Sequence, residues 1–93
     1  MQTVIESVEP AQLTASGNIC NGRGRLAGIF VSSATAAPTL TIYDDGATGT
    51  TRKIVDTFTL TAGSYFKLPF RFYFGCNIVI AGTASVTVGF ARA

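Results

Sequence analysis

The sequence has no histidine and no tryptophan, one methionine, two cysteines, and charged residues at only 13%. Each shortage excludes something. Without histidine the commonest general base is missing. Cys20 and Cys76 stand far apart and, with no histidine to help, cannot supply the four ligands of a zinc site. A carboxylate pair for glycoside hydrolysis would have to come from five acids, two of which, Glu6 and Glu9, fall in the N-terminal segment. The sequence therefore points away from an enzyme and implies no cofactor and no metal. Charge is about half of what an average soluble domain carries, beside 47% hydrophobic residues. That balance excludes intrinsic disorder.

Uncharged stretches are broken by Gly, Ser, Thr and Asn, so none makes an apolar span of the roughly 18–20 residues a membrane helix needs. Met1 to Pro10 holds no basic residue and no apolar core of signal-peptide length. The expectation is a product that stays in the cytoplasm where it is made, with Cys20 and Cys76 as reduced, partly buried thiols; one disulfide is the alternative for an exported chain. At 93 residues the chain is one small domain, with residues 1–24 as an N-terminal arm and first strands and 25–93 as the core. A domain of this size buries only about 60–65% of its unfolded surface. Low charge and a high apolar content then favour a homo-oligomer.

What the sequence does contain is β-branched: Val, Ile and Thr together make 27 residues. No helical spacing is sustained. Short apolar stretches recur about every 8–12 residues between turn formers, the rhythm of an antiparallel sandwich or barrel. Strands are expected at Thr3–Val8, ended by Glu9-Pro10, and at Gln12–Cys20, interrupted by Gly17-Asn18. Others follow at Arg25–Ser33, Thr39–Tyr43, Lys53–Leu60, Tyr65–Phe74 with a bend at Pro69, Asn77–Ala81 and Ser85–Phe90. Asn21 to Gly24, Ser33 to Pro38, Asp44 to Thr51, Ala62 to Ser64 and Gly82-Thr83 read as turns and loops. The expected fold is an all-β antiparallel sandwich of seven or eight strands.

The run Tyr65 to Phe74 holds six of the ten aromatics with Lys67 and Arg71. Read as one strand, it puts Phe66, Leu68, Phe70, Phe72 and Phe74 on one apolar face and Tyr65, Lys67, Pro69, Arg71 and Tyr73 on the other. The first face suits a core. The second suits a contact surface. Only Tyr65 and Tyr73 are then left to stack on bases, and no RNP-type signature is present, so nucleic acid is not the expected partner. Asn21-Gly22-Arg23-Gly24-Arg25 has glycines and charge but no P-loop Lys-Ser/Thr and no following helix; it reads as a turn carrying two arginines. Asp44, Asp45 and Asp56 lack EF-hand spacing. Asp56 alternates with Ile54 and Phe58 and, on a buried face, needs Arg52, Arg71 or backbone amides as partners.

The stretch from Gly28 to Ala91 resembles small bacteriophage virion proteins. The similarity lies in "TLTIYDD", "KIVDTF", "AGSYFKLPFRF" and "GTASVTVGFA", and residues 1–24 are outside it. The resemblance implies a compact sandwich of jelly-roll type that decorates a capsid as a cement protein. Such a protein trimerises on the capsid surface over the major capsid protein and needs no active site. It implies a virion location after assembly in the host cytoplasm. A virion knob or fibre module gripping host-surface glycans is the alternative, and the lack of tryptophan weighs against it. The contact residues expected on this reading are Arg23, Arg25, Tyr65, Lys67, Arg71 and Tyr73. An N-terminal arm of Thr3, Val4, Ile5 and Val8 joins them, able to add a strand to another chain.

Overall fold

The computed structural model describes residues 8–92. They form seven strands and no helix: β1 (Glu9–Leu13), β2 (Gly17–Asn21), β3 (Gly24–Tyr43), β4 (Lys53–Thr59), β5 (Tyr65–Lys67), β6 (Arg71–Phe72) and β7 (Gly75–Arg92). All pairings are antiparallel and belong to one sheet. β3 and β7 run side by side as its spine. β1 and β2 lie along the outer side of β7, and β4, β5 and β6 along the outer side of β3.

The spine follows from one pattern. On β7 the buried hydrophobic side chains Cys76, Ile78, Ile80, Ala84, Val86, Val88 and Phe90 all fall on even positions. Period-two alternation over 18 residues gives a strand with one apolar face. Their partners on β3 are also apolar: Ile42 faces Ile78, Leu40 faces Ile80, Ala34 faces Ala84, Val31 faces Val86, Ile29 faces Val88 and Leu26 faces Phe90. β3 keeps these pairs only by absorbing extra residues at three irregularities, between Leu26 and Gly28, Val31 and Ser33, and Thr35 and Thr39. The last is the largest. Ala36 and Ala37 both take left-handed φ, 60° and 52°, opposite Gly82 at φ 97°. Left-handed residues and bulges bend a strand sharply.

Fifteen buried hydrophobic residues form a single cluster, twelve from both halves of the spine together with Cys20, Leu60 and Phe72. Among the described residues no helix or second sheet exists to cover that face. The sheet must therefore curl over its own apolar side, and the kink at residues 35–39 is where the spine turns.

Several expected boundaries move. Ser33–Pro38 and Gly82-Thr83 are not a loop and a turn but facing kinks inside continuous strands. Pro10 does not end the first strand; Glu9–Leu13 pairs with Phe90–Val86 from the edge, where a missing N–H is tolerated. Of the expected strand Thr3–Val8 only Val8 is described, and it precedes β1. The expected Gln12–Cys20 strand is divided, its first residues closing β1 and Gly17 opening β2.

The aromatic run is not one face either. The Phe70 N–H donates to the Leu68 carbonyl at 2.8 Å, and the Phe70 carbonyl accepts from Leu26 N–H at 2.7 Å. This tight turn around Pro69 separates β5 from β6 and breaks the alternation. Phe72 is fully buried and Phe66 and Leu68 are half-buried, with Phe66 edge-on to Phe58 at 4.9 Å. Phe70 and Phe74 are 44% and 52% exposed. Asp56 is exposed as well. A register shift on β4 turns it outward, where it accepts from Lys53 Nζ at 3.0 Å and its own neighbour's Thr57 N–H at 2.7 Å, not from Arg52 or Arg71.

Candidate docking surface

At one end of the sheet β6, β3 and the end of β7 lie side by side. The register sets Arg71 directly across from Arg25 and places Gly24 between Phe72 and Arg92. Arg23 follows from the β2–β3 turn. Four of the chain's five arginines, Arg23, Arg25, Arg71 and Arg92, thus line one cleft of about 500 Å³ together with Tyr73. No acidic side chain lines it among the described residues. Glu9 reaches Arg92 from the neighbouring strand, at 2.7 and 2.9 Å. Guanidinium groups bind carboxylates and phosphates in a two-pronged, planar fashion, so the cleft suits an anionic partner.

A second cleft of about 460 Å³ adjoins the first, and Arg25 and Arg71 border both. Val8, Tyr65, Lys67, Pro69 and Phe70 line it. Tyr65 is held over Gly28: a Cβ there would lie 2.6 Å from Tyr65 Cζ. The tyrosine is nonetheless 60% exposed, as Tyr73 is at 56%. The face therefore alternates arginine or lysine with exposed aromatic rings, and arginine and aromatic residues are the types enriched in protein interfaces.

The first cleft rests on a rigid support. Asp44, nearly buried, accepts hydrogen bonds from three successive backbone amides. Its Oδ1 takes the N–H of Tyr73 (3.0 Å), Phe74 (2.7 Å) and Gly75 (3.3 Å), and Oδ2 takes Tyr73 again at 3.0 Å. Consecutive amides of this kind form an anion-binding concavity, filled here by the protein's own carboxylate. The Phe74 carbonyl accepts from Gly22 N–H at 3.0 Å, and the Arg52 guanidinium lies 4.2 Å above the Phe74 ring. Phe74, next to Tyr73, is thus held through both its backbone and its ring.

All seven described members of the expected contact set, Val8, Arg23, Arg25, Tyr65, Lys67, Arg71 and Tyr73, border one or both clefts. Thr3, Val4 and Ile5 lie outside the described residues. Three contributors were not legible beforehand. Arg92 reaches the cleft only through the β3–β7 register. Phe70 is turned outward by the Pro69 turn. Asp44 looked like an ordinary loop opener, and its only sequence signal is an acid placed just after an apolar strand.

Other constellations do not assemble. Among the described residues no three His, Cys, Asp or Glu groups converge on a metal-sized site. Asp44 is consumed by backbone amides. Asp45 accepts from Ala47 N–H at 2.7 Å, and hydrogen bonds from Ala47 and Gly49 hold its carboxyl below the usual range. Ser64 and Lys67 have the Ser-x-x-Lys spacing that aligns the two side chains on a helix, but they sit on extended chain, where positions three apart face opposite sides. No described helix is long and apolar enough to cross a membrane. The chain matches no family model, no curated protein and no solved structure.

Proposed function

We propose that this protein is a non-enzymatic structural subunit of a bacteriophage virion: a capsid decoration protein that trimerises on the capsid surface and docks through its arginine–aromatic edge onto the major capsid protein. The observation that carries the reading is the convergence of Arg23, Arg25, Arg71 and Arg92 on one edge beside exposed Tyr65, Phe70 and Tyr73. An acidic surface of a larger assembly would complement these charges and cover the rings. The resemblance of residues 28–91 to small virion proteins supplies the kind of assembly. The finer reading of the fold, a two-layer sandwich of jelly-roll type, is supported by the one buried face and the kinked spine. The segment Thr3 to Val8 serves as the arm laid across a neighbouring copy.

The test is electron microscopy of the particle whose genome encodes the chain. The reading expects density for many copies at repeated sites on the head, in threefold clusters, with β6 and the end of β7 turned toward the capsid. A particle lacking the chain, or carrying it only at a tail or a single vertex, contradicts it. Strong, specific binding on a glycan array would instead favour the knob reading.

A further inference from the structure

We propose that Cys20 and Cys76 form a latent cross-strand disulfide, a modification site that closes when the protein meets an oxidising solution. The two residues are direct partners in the β2–β7 ladder. Antiparallel partners have Cα atoms about 4.5–5.5 Å apart, inside the roughly 4.4–6.8 Å range of natural disulfides. Side chains of directly opposed residues leave the sheet on the same face. Both are buried in the same core cluster, Cys20 at 4% and Cys76 at 0% exposure, and both are free thiols. Cys20 Sγ has only a weak contact to the Gly22 carbonyl, at 3.8 Å, so little holds it away from its partner. A second sign of their closeness is electrostatic: burial raises the Cys76 thiol to about 12, and the neighbouring Cys20 adds to the rise.

The chemistry needs an electron acceptor, which a small disulfide such as oxidised glutathione supplies. One cysteine, as thiolate, attacks it, forming a mixed disulfide and releasing one glutathione thiol. The other cysteine then attacks the protein sulfur of that mixed disulfide, and the second glutathione leaves as thiol. One protein S–S bond forms, one small disulfide is consumed, and the two cysteine protons end on the two glutathiones. Access comes through β2, a five-residue strand hydrogen-bonded only to β7 among the described strands and therefore able to open locally. The closed bond encloses about 55 residues of chain, β3 to β6 included, a span for which a cross-link restricts the unfolded ensemble strongly. It also lies one residue from Gly75, whose amide helps hold Asp44.

The experiment incubates the purified, reduced full chain with oxidised glutathione, with and without urea below the unfolding midpoint. The expected product has no titratable thiol in place of two and a mass lower by two hydrogen atoms. A digest should yield one peptide pair joining Cys20 to Cys76. The folding equilibrium should shift toward the native state on the order of a hundredfold or more, reversibly with dithiothreitol. Cys20→Ala should take up one glutathione and no cross-link; the peptide map of the unaltered chain decides the matter even where that variant does not fold. Two glutathione adducts, a disulfide-linked dimer, two thiols surviving in urea, or an oxidised form less stable than the reduced one each overturn the proposal.

Discussion

Replacing Asp44 tests the support beneath the docking edge. In the native chain its carboxylate meets three backbone N–H groups, from Tyr73, Phe74 and Gly75. A hydrogen bond to a charged group is worth about 1.5–3 kcal/mol, and a buried donor left without an acceptor costs about 1–3 kcal/mol. Asp44→Ala leaves three such donors. The Gly75 bond is buried and the other two are half-buried, so water satisfies part of the loss. The expected destabilisation is about 3 kcal/mol or more, against roughly 5–14 kcal/mol for a domain of this length. The melting temperature should fall by about 12 °C or more. Asp44→Asn keeps the shape and one acceptor oxygen but loses the charge, and should cost about half as much. Urea unfolding gives the stabilities, and an unchanged slope would show that the unfolded state is not what altered. Hydrogen exchange adds position: the amides of residues 73–75 should lose protection first. If Asp44→Ala melts within about 0.5 kcal/mol of the unaltered chain, the ordinary scatter of surface substitutions, the carboxylate does not organise this segment.

Three further predictions bear on the fold. Phe72 is fully buried while Phe70 is 44% exposed, so Phe72→Ala should cost about 3–5 kcal/mol and Phe70→Ala under about 1 kcal/mol by the same unfolding measurement, reversing the equal weight an unbroken apolar stripe would give them. Ala37 holds a left-handed φ of 52°, so Ala37→Gly should leave stability unchanged or raise it by up to about 1 kcal/mol, whereas glycine at Ala34, paired within the sheet, should lower it. The Cys76 thiol, pushed up to about 12 by burial, stays protonated in the fold while the unfolded chain releases that proton near pH 8.5–9. Its contribution is therefore complete below about pH 8.5 and is lost as pH rises toward 12, at up to about 1.4 kcal/mol per pH unit. Stability measured from pH 8 to 10.5 should show this fall in the unaltered chain and a shallower one in Cys76→Ala.

The places where sequence reading succeeded and failed have physical causes. β7 was legible in its two halves because its buried hydrophobic side chains all fall on even positions. It did not read as one strand because Gly82-Thr83 has the composition of a turn. Its φ of 97° bends the strand without ending it. β3 was cut at Ser33–Pro38 for a related reason: alanine carries no signal for the left-handed conformation that Ala36 and Ala37 adopt. Strict alternation through Phe66 to Phe74 was too simple an assumption, because Pro69 allowed a turn that spends two hydrogen bonds, Phe70 to Leu68 and Leu26 to Phe70, on local geometry. The polar half of that run survived the error, since Tyr65, Lys67, Arg71 and Tyr73 face outward on either side of the turn. Arg25 and Arg71 are 46 positions apart, and their opposition is a property of register, which hydrophobic pattern alone does not fix at a two-residue strand.

The central claim is that the arginine–aromatic edge is a docking surface for an acidic partner. On the proposed virion reading, its most direct measurement is cosedimentation of the purified protein with capsids lacking it, comparing the unaltered chain with Arg25→Glu/Arg71→Glu at several salt concentrations. The double variant keeps a like-charge pair across the two strands, with the sign reversed, so circular dichroism and urea unfolding first establish that it is folded. The account predicts binding weakened about a hundredfold or more by the charge reversal, and binding of the unaltered chain that weakens as salt is raised. Equal, salt-insensitive binding by a folded double variant would contradict it.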